Sequence, residues 1–128
     1  MSTNNKSDAF ANLVNVIAKL RADNGCPWDR RQTPESLTRY LLEETNELAE
    51  AISLGDADHI REESGDLFYI LIMLTLMHEE KGEYSLHDVL SGITQKMIRR
   101  HPHVFAGKKI GSEYDLHKQW EAIKSQEK

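Results

Sequence analysis

The stretch LLEETNELAEAISLGDADHIREESGDLFYILIMLTLM, residues 41–77, decides the fold. Apolar residues recur at helical spacing on both sides of Gly55-Asp56, and neither side alternates with period two. Thr33-Pro34 offers an N-cap followed by proline in the first helical position, so one helix is expected from there to about Leu54. A second is expected from about Asp58 to Lys81, ended by Gly82. A break as short as Gly55-Asp56 joins antiparallel neighbours, which makes the pair a hairpin. The run Leu67 to Met77 is apolar all round, interrupted only by Thr75. It is shorter than the roughly 18 residues a membrane span needs, and acids flank it. Such a helix is buried on every side, and a 128-residue chain has few helices to cover it, which points to a dimer.

Working outward, Phe10, Leu13, Val14, Ile17 and Leu20 form a first helix after a candidate N-cap at Ser7, with Asn24-Gly25 as its stop. Cys26, Pro27 and Trp28 read as loop. After the hairpin, Ser85 with Asp88 resembles a capping box opening a helix striped by Leu86, Val89, Leu90, Ile93 and Met97. Residues 101–111, with Pro102, Gly107 and Gly111, read as loop. Ser112 with Asp115 caps a last short helix carrying Leu116, Trp120 and Ile123. The expected class is all-α, a bundle of four main helices plus a short C-terminal helix. The length allows one domain, residues 1–128, with 1–7 as a flexible N-terminus.

Composition narrows the function. Hydrophobic residues are 39% and charged residues 29%, which fits a folded soluble chain better than a membrane-embedded or disordered one. The start MSTNNKSDAF lacks the basic and apolar regions of a signal peptide, so the expected location is cytoplasmic. The single cysteine, Cys26, excludes an internal disulfide and a Cys-based zinc cluster. Residues 1–95 hold 8 Lys/Arg and 17 Asp/Glu, residues 96–128 hold 8 and 4, so an acidic body carries a basic end. That pattern argues against a nucleic-acid polymer as partner and leaves room for a small anion held through metal ions.

The hairpin also places carboxylates where a core belongs. With Leu37 at zero on a helical wheel, Leu41, Leu48, Ile52 and Ala51 define an apolar arc; Glu44 falls inside it at about 340° and Glu47 at its margin at about 280°. An ionised carboxylate facing a core costs several kcal/mol unless a cation compensates it. On the next helix Glu63 and Asp66, three apart, share a face. Both pairs lie roughly 12–16 Å from the Gly55 turn, so an antiparallel hairpin brings the four together. Acids in helices are commonly solvated; the symmetric set with Glu44 in the stripe is the exception here. An all-oxygen set suits Mg²⁺ or Mn²⁺ rather than zinc. A ferritin-like di-iron centre needs Glu-x-x-His on its helices, and no Glu here has His three residues on.

Lys96 and Arg100, four apart on the helix after the hairpin, lean toward its apolar side, where they serve either the helix dipole or phosphate oxygens. Arg99 fits the dipole. Trp120 and Lys124 repeat the spacing, with tryptophan as packing or as cover for a base. His101 and His103 make a weak zinc pair without a third ligand.

CPWDRRQT at 26–33, the run of Glu43, Glu44 and Glu47, the pair Glu63 and Asp66, and KMIRRHPHVF at 96–105 together resemble the MazG family of nucleoside triphosphate pyrophosphohydrolases. The likeness runs from about residue 10 to WEAIKSQEK at the end. It implies an all-α homodimer and Mg²⁺-dependent hydrolysis of a nucleoside triphosphate to the monophosphate and pyrophosphate, with clearance of non-canonical nucleotides as a role. Carried over residue by residue, Glu44, Glu47, Glu63 and Asp66 are metal ligands with Glu43 beside them, Lys96 and Arg100 meet the triphosphate, and Trp120 and Lys124 complete the nucleotide site. Ser64 departs from the leucine usual between these acids. Two other readings stay open: a related phosphoribosyl-ATP or dUTP pyrophosphohydrolase, and a non-catalytic helical module that binds metal or nucleotide.

Overall fold

In a computed structural model the described residues are 5–127. Among them are seven helices and no strand, as expected of an all-α chain. They fall into two compact units, Met1–Leu86 and His87–Lys128. No helix among the described residues is long and apolar enough to cross a membrane.

The first unit is built on the hairpin. Helix α1 spans Lys6–Arg21, α2 Pro27–Arg31, α3 Pro34–Leu54 and α4 Ala57–Glu80. Thr33 caps α3 reciprocally: its hydroxyl accepts from Ser36 N–H and its own N–H donates to Ser36 Oγ, so serine does the work that Glu or Gln does in the usual box. Gly55 ends α3 with φ of 73°, a left-handed cap that glycine adopts without a Cβ clash. Asp56 then opens α4 by accepting from the N–H groups of Asp58 and His59. The chain therefore reverses within two residues, and α3 and α4 pack along each other.

The core occupies the half of the hairpin away from the turn. Ile70, Ile72, Met73, Leu76 and Met77 of α4 are buried with Leu37 of α3 and Ile17 of α1. Phe10, Leu13, Trp28 and Tyr40 close around them. Within the first unit the described residues do not cover this helix on every side: Phe68 and Leu71 are 52% and 44% exposed.

Two sequence boundaries shift. The α1 N-cap is Asn5, whose side chain accepts from Asp8 N–H at 3.1 Å, and Ser7 lies inside the helix. Lys6 and Ser7 of the expected flexible N-terminus are thus helical, while residues 1–4 of it lie outside the described residues. The segment after α1 is not loop throughout: Pro27 sits at the first position of α2, where its missing N–H costs nothing. That short helix is tied down by Arg21. Its guanidinium donates to the carbonyls of Asp29 (2.5 Å) and Gln32 (3.3 Å) and, through two bonds of 2.8 Å, to the Glu80 carboxylate. Those bonds hold the Glu80 carboxyl below its ordinary range. The Asp29 carboxylate, itself buried, accepts from the Tyr69 hydroxyl of α4.

Leu86, the last residue of the first unit, opens α5 (Leu86–Arg100), and its N–H donates to Glu79 Oε2 at 2.6 Å. The second unit contains the rest of α5, α6 (Pro102–Phe105) and α7 (Glu113–Gln126). Proline again opens the short helix, α6, in a stretch whose Pro and Gly content reads as loop. Ser112 caps α7 by accepting from Asp115 N–H, and the helix runs 14 residues, longer than the short one expected. None of the α5 residues is buried; Val89, Leu90, Ile93 and Met97 of its stripe stay 37–47% exposed.

Candidate functional site

Four carboxylates meet near the turn-side half of the hairpin. Each of Glu44 and Glu47 on α3 and Glu63 and Asp66 on α4 offers an oxygen, and these oxygens all lie within 4.8 Å of one another. The convergence follows from two i, i+3 pairs at equal distance from Gly55 on antiparallel helices. Among the described residues this is the one grouping of three or more side chains that could hold a metal ion. His101 and His103 join no such group.

The environment is unfavourable for bare anions. Glu44 and Glu63 are partly buried, the Glu63 side chain only 12% exposed. Oε2 of each is buried without a hydrogen-bond partner. Burial raises the Glu44 carboxyl above its ordinary range, and repulsion from Glu47, Asp66 and Glu63 adds to it. Glu63 is raised by burial first, then by its hydrogen bond and repulsion with Glu47. Orphaned oxygens among mutually repelling carboxylates are what a divalent cation would satisfy, so the residues present fit such an ion.

Two further side chains stand near the cluster. Glu43 is outside the cluster, exposed, with Arg39 Nε at 3.9 Å. His59, unremarkable in the sequence, places Nε2 3.3 Å from Glu63 Oε1. Its i, i+4 spacing to Glu63 on one helix face is the signal that would have found it.

Gly65 sits in α4 between Glu63 and Asp66. Among the described residues a Cβ there would meet nothing within 4 Å. Gly65→Ala should therefore stabilise the protein by up to about 1 kcal/mol, read from urea unfolding. A loss of turnover in that more stable variant would show that the space serves a ligand or partner.

The other candidate residues belong to the second unit. Lys96 and Arg100 are half-buried on α5, amid exposed Gln95, Met97, Ile98 and Arg99. Arg100 and Lys124 border one cavity of about 600 Å³ together with Glu121, Ser125 and Glu127. Trp120 is half-buried and meets the edges of His101 and His117, with ring centroids 5.7 and 5.9 Å away. Its Nε1 is buried without a partner. Gln119, which the sequence gave no reason to single out, is buried beside it, and its Nε2 lies 3.2 Å from His103 Nδ1.

Fold and site together define an all-α protein whose helical hairpin gathers a carboxylate cluster suited to a divalent cation. Residues 32–105 match the MazG nucleotide pyrophosphohydrolase domain. A Thermotoga maritima protein named nucleoside triphosphate pyrophosphohydrolase/pyrophosphatase MazG is 46% identical over 93% of this chain, and the Escherichia coli K12 nucleoside triphosphate pyrophosphohydrolase is 38% identical over 91% of it. The chain covers 45% and 44% of those two relatives, so it spans less than half of their length. The crystal structure of a mazG-related protein from Thermotoga maritima superposes with a TM-score of 0.75 at 28% identity, covering 90% of this chain and 98% of that one. The chain belongs to the MazG nucleotide pyrophosphohydrolase domain family.

Proposed function

We propose that this protein is a Mg²⁺-dependent nucleoside triphosphate pyrophosphohydrolase, releasing a nucleoside monophosphate and pyrophosphate, with non-canonical nucleotides as the substrates it clears. The observation that carries the reading is the four-carboxylate cluster with its two buried, unpartnered oxygens. The names of the relatives support the reaction type.

In this reading Glu44, Glu47, Glu63 and Asp66 hold the ion, with Mn²⁺ as a substitute. A divalent cation so bound supplies Lewis-acid polarisation of phosphate oxygens and lowers the pKa of a bound water. His59 orients Glu63 through their contact, as partners of metal ligands do. A carboxylate not engaged by the ion, Glu43 included, takes the proton of the attacking water. Lys96 and Arg100 offset the charge of the phosphates, Trp120 presents an aromatic face for a base, and Lys124 reaches a phosphate oxygen.

The test is release of pyrophosphate from a panel of canonical and modified nucleoside triphosphates, phosphoribosyl-ATP and dUTP, with and without Mg²⁺. Release that needs the metal is the expected result, and the panel ranks the substrates. Binding of nucleotide without any turnover would sink the enzymatic reading in favour of a binding module.

A homodimer belongs to the same proposal. Leu42, Phe68 and Leu71 on the hairpin and the α5 stripe are large apolar side chains that the single chain leaves exposed. Light scattering at micromolar concentration should give twice the mass of the chain; a monomer there would contradict it.

A further inference from the structure

In the second unit Arg100, proposed above to meet phosphate, and its neighbour Arg99 already hold an anion of the chain's own. Glu127, just past the end of α7, offers one carboxylate oxygen to each of two neighbouring guanidinium groups: Arg99 Nε donates to Oε2 at 2.5 Å and Arg100 donates to Oε1 at 2.8 Å. The Arg100 and Glu127 side chains are 20% and 19% exposed and the Arg99 side chain 50%. Hydrogen bonds from Arg100 and then Arg99 hold the Glu127 carboxyl down at about 2, so it is ionised throughout the neutral range.

The pairing is incomplete. Arg100 Nε is buried and has no partner, although a guanidinium has donors enough for more than one acceptor group. A carboxylate brings two oxygens; a phosphate group brings three terminal ones and takes the same forked geometry. Beside the pair is the cavity of about 600 Å³, whose wall carries Lys124 and Ser125 as well as Arg100 and Glu127. Lys124 is held there only weakly, its Nζ 3.9 Å from an exposed Glu121 carboxylate.

We propose that Glu127 is an internal counter-anion that occupies the phosphate-binding face of Arg99 and Arg100 and is displaced when the phosphate chain of a ligand binds. The inference rests on the reading of Arg100 and Lys124 as phosphate contacts. Between binding events the carboxylate keeps both guanidinium groups aligned. On binding it must be exchanged for phosphate oxygens on the same donors, which lowers the affinity for every phosphate-bearing ligand at this position, product as well as substrate. Glu127 is thus a residue that tunes affinity without touching the reacting atoms.

Inorganic tripolyphosphate, titrated calorimetrically into the full chain, tests this with Glu127→Gln, Glu121→Gln and Arg100→Ala, and with Glu127→Ala as a second removal of the carboxylate should the first variant misfold by circular dichroism. Glu121→Gln removes the same charge from the same cavity without touching the arginines. The expected result is about tenfold tighter binding or more for Glu127→Gln, the size of one lost charge-assisted hydrogen-bond competitor. Glu121→Gln should gain clearly less, and Arg100→Ala should lose most of the affinity. Equal gains in the two glutamine variants, or no gain in Glu127→Gln while Arg100→Ala still weakens binding, would overturn the counter-anion and leave the phosphate reading of Arg100 standing. Wild-type affinity in Arg100→Ala, or no binding by any variant, overturns both.

Discussion

Glu44→Gln should reduce pyrophosphate release by about 100-fold or more, while Glu50→Gln on the same helix leaves it unchanged. Replacing even the partners of metal ligands typically costs 10- to 100-fold, so removing the charge of a ligand itself should do at least that. Glu44 is half-buried in the cluster with an unpartnered oxygen, whereas Glu50 is exposed and outside it. The stability change has the opposite sign. The Glu44 carboxyl is raised from 4.5, so the metal-free folded state holds a proton that the unfolded chain has already released. Stability is therefore lost as pH rises from the ordinary carboxylate range through the raised value, and it stays lost above it. Glutamine carries no such proton, so the metal-free variant at neutral pH should unfold at the same temperature as wild type or higher, the difference closing in acid. Added Mg²⁺ should then raise the wild-type midpoint and shift the variant's much less. Circular dichroism melts with and without Mg²⁺ read this out beside turnover. If both glutamine variants keep wild-type rates and Mg²⁺ dependence, the carboxylate cluster is not the site.

Gly25→Ala should cost about 3 kcal/mol or more, lowering the melting temperature by roughly 10 °C or more. A Cβ at Gly25 would stand 2.1 Å from the Leu20 carbonyl oxygen, 2.5 Å from its carbon and 2.6 Å from the Lys19 oxygen. All three are backbone atoms, and the backbone there is fixed by Gly25 N–H to Ala22 O and Cys26 N–H to Leu20 O, at 2.7 and 2.8 Å. Relief would have to shift the segment leading into α2, whose Asp29 carbonyl Arg21 holds. Gly55→Ala is the comparison: its φ of 73° is strained for alanine, but nothing lies within 4 Å, so about 1–2 kcal/mol is expected. Urea unfolding that found Gly25→Ala no worse than Gly55→Ala would contradict the close approach.

The same two glycines show what the sequence could and could not reveal. Gly55 is legible because a left-handed cap after an amphipathic helix has a local signature. Gly25 is legible only as punctuation; that it makes room for the preceding turn depends on where α2 packs, which no local pattern encodes. The carboxylate pairs were readable because helical periodicity and a two-residue turn fix their distances from it. His59 had only its i, i+4 spacing to Glu63 to mark it out among 6 histidines, and Glu127 had no local signal because its partners lie 27 and 28 residues away. The short helices α2 and α6 escaped because proline and glycine obscure a single turn. The apolar run of α4 and the stripe of α5 were legible, but an apolar surface does not say whether its own chain covers it.

The Arg21–Glu80 fork joins residues 59 apart, whereas α3 and α4 are linked by a two-residue turn. Closing a long loop carries an entropy that a tight reversal does not, so the hairpin can assemble from neighbouring segments before α1 docks on it. Folding should then run from the hairpin outward, with the fork formed last. Hydrogen exchange in native conditions would see the reverse: α1 amides opening at lower free energy than those of Ile72, Met73 and Leu76 on α4. The cluster of acids would be assembled before the core at the far half of the hairpin is complete, because the turn that registers α3 against α4 sets those four positions.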